Sequence, residues 1–418
     1  MVSQAGVLPP ILALHAEEAA FLWTQRERAV QPSRTTLTAI MNFDTRIAAH
    51  LDGLRVAAEG GWDPSTVPLG SKEPGAVFAF SVGVLEAAGP GSVVSLLSQV
   101  EHTPAIHSGL LSAFGWTSTR FLRGTVKGLL ASSSDFQRRV GIACCGMHGV
   151  DPKGSLEAMM RGPSSMSRAI AFRACASIGR GDLAQLCAAG IDDEDPVSRE
   201  NAAVAAVLLG DRRRALETLA RSGTAEGPSR ESAMSLSLQA LSLRTGHQLL
   251  QEQAVRKDRE RWVIEGSGVV GDPSYLPWLV TQMRTGSLAR LAGDAFALIT
   301  GADLAQLAMG HSSQTVETGP TDNPDDENIA MEPDHDLVWP DVDKIERWWA
   351  ANGPRFQKGT RYFMGAPVTR EHCIEVLKTG YQRQRILAAQ YLCLLEPGTP
   401  LFNTSAPAWR QQRLLAAM

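Results

Sequence analysis

The chain has 418 residues, 44% hydrophobic and 6% aromatic, with 40 basic against 44 acidic side chains. That is enough for two or three domains or one continuous stack of repeats, in either case with a sizeable core. A formal net charge of −4 and a pI near 6.2 speak against nucleic acid as a partner, and scarce aromatics among abundant Ala, Leu and Gly favour closely packed helices over a β-sandwich.

The first residues lack a basic stretch, Pro9 and Pro10 interrupt the short apolar run, and Glu17 and Glu18 follow, so a signal peptide is not expected. No run of 18 apolar residues offers a membrane span. Cys144, Cys145, Cys175, Cys187, Cys373 and Cys393 form no C-x-x-C pair, which predicts free thiols and a cytoplasmic location. Residues 1–70 read as N-terminal capping helices, opened by His15-Ala-Glu-Glu-Ala-Ala-Phe-Leu-Trp23, and the Gly/Pro/Ser-rich stretch Gly60 to Gly75 breaks the pattern.

Residues 75–310 read as a degenerate repeat of helix, glycine turn, helix and polar link. The expected turn glycines are Gly115, Gly149, Gly181, Gly210, Gly246, Gly271 and Gly301, spaced 25 to 36 residues apart. One unit has Pro196 at the start of a helix over 197–209, a Gly210-Asp211 turn, and a second helix with Leu216, Leu219 and Ala220 on one stripe. Another runs from Trp262 to Met283 about Gly271-Asp272-Pro273, with Leu276, Leu279, Val280 and Met283 at helical spacing and Pro277 expected to bend the first turn. Neither helix of such a pair hides its apolar stripe alone, so the pairs must stack.

Residues 312–337 carry Glu317, Asp322, Asp325, Asp326, Glu327, Glu332, Asp334 and Asp336 with no Lys or Arg, the composition of a mobile loop or linker. Residues 338–418 resume helical character: 342–352 with Trp348-Trp349, a Gly-bearing segment 353–365, then 371–379 and 383–395 as one further repeat-like pair.

Trp262 to Met283 resembles the short HEAT-like repeat of phycobilisome lyases, with residues 192–220 and 164–187 matching less closely. The whole chain is similar to an uncharacterised bacterial HEAT-repeat family often encoded in type VI secretion gene clusters. The residues that carry this likeness are His15 to Trp23, Arg46-Ile-Ala-Ala-His-Leu-Asp-Gly-Leu-Arg-Val56, Trp348-Trp349, Gly359-Thr-Arg-Tyr-Phe-Met-Gly365, Gln382-Arg-Gln-Arg385 and Trp409-Arg-Gln-Gln412. The resemblance implies an accessory role beside secreted effectors, with no established activity and no known site residues.

Chemistry-bearing motifs are sparse. Gly266-Ser-Gly268-Val-Val-Gly271 fits G-x-G-x-x-G, but the preceding Arg256 to Trp262 is helical in character where a dinucleotide site needs a strand, so close helix packing is expected instead. Cys144 and Cys145 point about 100° apart on a helix, unsuited to a shared metal, and His148 has no orienting partner. His102, His107 and His15 with Glu17 and Glu18 are isolated.

These readings converge on an all-α solenoid of HEAT-like helix pairs with variant capping helices, working as a non-catalytic protein-binding scaffold. No cofactor, metal, membrane, nucleic acid or small-molecule substrate is expected. The partner would be a protein: a secreted effector or its carrier for an adaptor or chaperone, a toxin for an immunity protein whose acidic 317–336 segment mimics a polyanion. A lyase-type enzyme using Cys144 or Cys145 is the third alternative. Residues expected to meet the partner are Arg138, Arg139, Arg212, Arg213, Trp348, Trp349, Arg361, Arg383 and Arg385. Arg138-Arg139 and Arg212 to Arg214 sit at repeat edges, either on a solvated face or on the inner surface; Trp348-Trp349 suits a half-exposed anchor.

Overall fold

A computed structural model describes residues 9–62, 72–87, 90–227, 229–311 and 334–418. Among them the fold is all-α apart from one two-residue hairpin. It packs as two units: the first combines residues 1–215 with 377–418, and the second spans residues 216–376.

The first unit contains α1 (Pro9–Ala29), α2 (Leu37–Glu59), α3 (Pro74–Ala87), α4 (Pro90–Val100), α5 (His107–Trp116), the short α6 (Thr119–Leu122) and α7 (Thr125–Leu130), α8 (Asp135–His148), α9 (Gly154–Met160), α10 (Ser165–Ile178), α11 (Ala184–Ala189) and α12 (Pro196–Leu208). The boundary falls within α13 (Arg214–Thr224). The second unit holds α14 (Arg230–Ala240), α15 (Leu243–Ala254), α16 (Glu260–Val270), α17 (Leu276–Gln282), α18 (Gly286–Thr300), α19 (Val342–Asn352), the strands β1 (Tyr362–Phe363) and β2 (Ala366–Pro367), and most of α20 (Arg370–Thr379). Back in the first unit come α21 (Gln382–Leu395) and α22 (Ala408–Leu415).

Long helices stack in a row: α1 on α3, α3 on α5, α5 on α8, α8 on α10 and α10 on α12, with α7, α9 and α11 laid against α8, α10 and α12. In the second unit α14, α16 and α18 form the row, with α15 against α16 and α17 against α18. The local signals repeat with the row. Left-handed glycines end helices at Gly149, Gly179, Gly210, Gly271 and Gly301, at intervals of 30, 31, 61 (two periods) and 30 residues. Ser134, Ser164 and Asp195 cap α8, α10 and α12 through their side-chain oxygens. An arginine follows each cap at the same offset and satisfies carbonyls of the preceding link: Arg138 bonds Ser132 O and Ser133 O, Arg168 bonds Gly162 O and Pro163 O, and Arg199 bonds Asp193 O and Glu194 O.

Three of the seven expected turn glycines are placed differently. Gly115 and Gly246 lie inside α5 and α15, where small size matters: a Cβ on Gly115 would press on Met147 Sδ at 2.8 Å and one on Gly246 would meet Val270 at 3.2 Å. The turn near Gly181 is made by Gly179, at φ 76°. The G-x-G-x-x-G run lies in and just after α16, where Gly266 and Gly268 admit Leu250 and Ala295. Pro277 sits in the first turn of α17, where no backbone partner is lost, and a 3₁₀ turn (Pro273–Tyr275) rather than a bend leads into it. The packing also groups residues differently from the sequence reading: 75–310 divides at 215, and 338–418 divides at 376.

Tertiary closure explains the second division. Gln382 N donates to Thr35 O at 2.8 Å, its Nε2 donates to Val30 O at 2.9 Å, and Thr36 and Tyr381 form an antiparallel bridge, so the C-terminal helices belong with the first ones. In the second unit the hairpin takes the analogous place. Tyr362 N reaches Gly271 O at 2.8 Å, and Met364 N and Gly365 N reach Leu298 O and Ile299 O at 2.7 and 3.0 Å, satisfying carbonyls at the ends of α16 and α18.

The acidic residues expected in a mobile linker fall mostly at 317–332, outside the described residues. Asp334 is described and is buried, both its oxygens held by Arg261 at 2.7 and 2.9 Å. It is an internal partner rather than part of a free acidic surface.

Candidate functional site

In the first unit α1, α3, α5, α8 and α10 all contribute residues to a groove of about 510 Å³. The lining residues recur at helical spacing: Ser108, Leu111, Ser112 and Gly115 on α5; Ala143, Gly146 and Met147 on α8; Ile170, Arg173, Ala174 and Ser177 on α10. Small side chains at most of these positions leave the concavity open. One wall belongs to α1 and α3, where Trp23 stacks on Phe78 with ring centroids 5.6 Å apart and Phe78 meets Trp116 edge-on at 5.7 Å. The Trp23 indole N–H is buried in that wall and finds no acceptor among the described residues.

The segment 401–407 also lines the groove; it turns at 403–406, where Ala406 N reaches Asn403 O, and is pinned by side chains that read its carbonyls. Arg26 donates to Ser405 O and Ala406 O at 3.0 and 3.1 Å, and Gln411 donates to Thr404 O and Ala406 O at 2.9 and 2.6 Å. Arg26 is buried and paired with buried Asp44 at 2.5 Å, and Asp44 also accepts from Ala408 N. Glu27 lines the groove one residue on. Burial raises its carboxyl above the ordinary 4.5, partly offset by Arg26 at 3.6 Å and by a hydrogen bond from Ser112.

The nine residues expected to contact a partner do not line this groove. Arg138 is bound to link carbonyls, and Arg139 pairs with Asp135 at 3.3 Å and lies over the Phe136 ring. Arg212 donates to Val207 O and Leu394 O, closing the ends of α12 and α21, while Arg213 is exposed. Trp348 and Trp349 are both half-buried and edge-on to Phe296, at 5.8 and 6.4 Å, packed on the second unit's core. Arg361 donates to Gln239 O and Leu241 O at the end of α14, and Arg383, half-buried, binds Ser33 O through its backbone. Arg385 corrects the expectation outright: it is fully buried, donating to Leu377 O and Gln382 Oε1 at 2.8 Å and to Gln411 Oε1. Desolvation pushes it down to about 10, still a cation at neutral pH.

Cys144 and Cys145 are buried in α8, with thiols pushed up by burial to about 12 and 11, the direction opposite to an activated nucleophile. His148 turns away from them to bind Phe114 O at 2.8 Å, and burial lowers its pKa. Among the described residues no group of three His, Cys, Asp or Glu is placed to hold a metal ion, and no helix is long and apolar enough to cross a membrane.

Sequence reading missed one cluster in the second unit. His247 Nε2 lies 3.1 Å from Asp272 Oδ2, and its Nδ1 lies 2.5 Å from Tyr275 Oη. A carboxylate only accepts, so the proton belongs on Nε2 and the Tyr275 hydroxyl donates to Nδ1. Asp272 also accepts from Ser274 N and Gly359 N, and burial with the nearby Asp272 charge pushes the Tyr275 phenol up to about 12. The arrangement braces the Gly271-Asp272 turn against α15 and the loop before the hairpin; nothing in it lowers the phenol toward a nucleophile. The residues are 25 and 28 apart in sequence, and only the stacking of successive pairs brings them together. The groove stripes carried a fainter signal, small residues at spacings of three and four on successive helices. Comparison with family models, with curated proteins and with solved structures finds no match to this chain.

Proposed function

We propose that this protein is a non-catalytic binding scaffold made of HEAT-like helix pairs, and that a partner protein is held in the groove lined by the stacked long helices. The groove carries this reading: three successive helices, α5, α8 and α10, each contribute a stripe at helical spacing to one concavity that mixes aromatic, hydroxyl and charged groups. The side-chain chemistry supports binding more than bond making, since the buried Cys144 and Cys145 thiols and the Tyr275 phenol are all shifted toward their protonated forms. The likeness of the terminal motifs to the type VI secretion-associated family supports the narrower role of a cytoplasmic adaptor or chaperone for a secreted effector.

Affinity capture from the native cell, followed by reconstitution with the purified candidate, tests the proposal. The expected result is one protein that binds the purified chain at fixed stoichiometry. Recovery of general chaperones and ribosomal proteins alone, or turnover of a small molecule by the pure chain, overturns it.

A further inference from the structure

We propose that the groove accepts a peptide segment of the partner in which a basic side chain stands beside an apolar one, the basic group meeting Glu27 and the apolar one meeting Trp116 and Met147. The inference rests on the binding-scaffold reading and adds the chemistry of the bound segment.

Charge complementarity is the first argument. Three charged groups meet where α1 enters the groove: Arg26, Asp44 and Glu27. Arg26 is committed, at 2.5 Å from Asp44 and within hydrogen-bond reach of two carbonyls, so its 3.6 Å approach to Glu27 leaves that carboxylate incompletely compensated. Ser112 contributes a hydrogen bond but no charge. A lysine or arginine from outside would supply the missing cation in a partly desolvated place, where such a pair is worth more than on an open surface.

The second argument is the backbone. The groove already holds one non-helical segment of this chain, 401–407, through guanidinium and amide side chains that read the carbonyls of its turn. Arg173 lines the same groove from α10, and its Nε reaches Asn201 Oδ1 at 3.3 Å, which leaves the rest of the guanidinium head to meet a carbonyl of a bound segment. Half-buried Trp116 and Met147 give the same groove an apolar surface. A segment that offers a basic and an apolar side chain together matches both.

An array of immobilised nonapeptides varying the two central residues, read with the full-length chain, tests the inference, followed by fluorescence anisotropy with a labelled peptide bearing Leu-Lys at the centre. Binding should concentrate on apolar–basic pairs. Glu27→Gln should weaken the Leu-Lys peptide roughly tenfold and erase the preference for Lys over Gln, while the preference for Leu over Gly persists and shows that the variant is folded. An array without a basic preference, a preference that survives Glu27→Gln, or equal binding of a lysine derivative lacking the peptide overturns the proposal. Full binding of a reconstituted native partner to the Glu27→Gln chain also overturns it and leaves the scaffold reading standing; absence of any stoichiometric partner sinks the scaffold reading instead.

Discussion

The two units use the same local grammar and close their ends by different means. In the first, residues 377–418 return to the first helices, where the backbone bonds of Gln382 and Arg383 to Thr35 O and Ser33 O are joined by buried polar side chains: Gln382 on Val30 O, Arg26 on 405 and 406, and Asp44 on Ala408 N. In the second, the hairpin about Tyr362 is held to the ends of α16 and α18 by backbone bonds. Closure by side chains concentrates buried charge, which only its own partners can offset. Closure by backbone instead depends on the few positions where two main chains approach closely. The first unit should therefore be vulnerable at buried charges as well as at glycines such as Gly179, whose Cβ would meet Gly398 O, and the second chiefly at glycines.

The largest expected effect is at Arg385. Arg385→Ala strips the donor from three buried oxygens and should cost about 3–5 kcal/mol of stability by urea denaturation. A loss below about 1 kcal/mol breaks the contrast between the units. Next is Glu265 on α16, the exception that sharpens it. Burial, with Glu231 nearby, raises its carboxyl from 4.5 to about 7. Between those values the folded chain keeps a proton that the unfolded chain has released, so stability falls as pH rises, by on the order of 3 kcal/mol, and is not further altered by this group above about 7. Thermal melts across pH 4 to 8 should show that slope, and Glu265→Gln should flatten it.

The glycine prediction separates the two closures directly. Gly149 ends α8 at φ 65° with nothing within 4 Å of a Cβ, so Gly149→Ala should cost about 1 kcal/mol of backbone strain alone. Gly271 ends α16 at φ 76°, where a Cβ would run into Tyr362 O, and Gly271→Ala should cost roughly twice as much or more. Equal melting shifts for the two variants would show that the hairpin's approach is not what the glycine serves. The smallest effect belongs to the exposed pair Arg161–Glu157: Glu157→Gln should change the unfolding free energy read by urea denaturation by less than about 0.5 kcal/mol. A larger loss would mean that surface charge, not buried charge, governs the first unit.

Elements whose causes are local were legible in the sequence. Val342–Asn352 stands as expected, and Asp195-Pro196 and Gly271-Asp272-Pro273 cap and turn as their chemistry requires. The repeat period was blurred by choosing Gly115, Gly181 and Gly246, since composition does not distinguish a glycine that turns the chain from one that admits a neighbouring helix. The candidate site was less legible. Arginines such as Arg138 and Arg361 read as surface charge because sequence does not show which carbonyls are left over at the end of a helix several residues or a hundred residues away.

By itself, the sequence determined that this chain is helical, where helices such as Pro196–Leu208 and Val342–Asn352 start and stop, and which of their stripes is apolar, because caps, left-handed glycines and 3.6-residue periodicity act within a turn or two of chain. Only the tertiary structure decided that Gln382 meets Val30 across 352 positions, that Arg385 is core, and that the stripes of α5, α8 and α10 meet in a groove. Periodicity states which face must be covered; what covers it is settled by packing among segments remote in sequence.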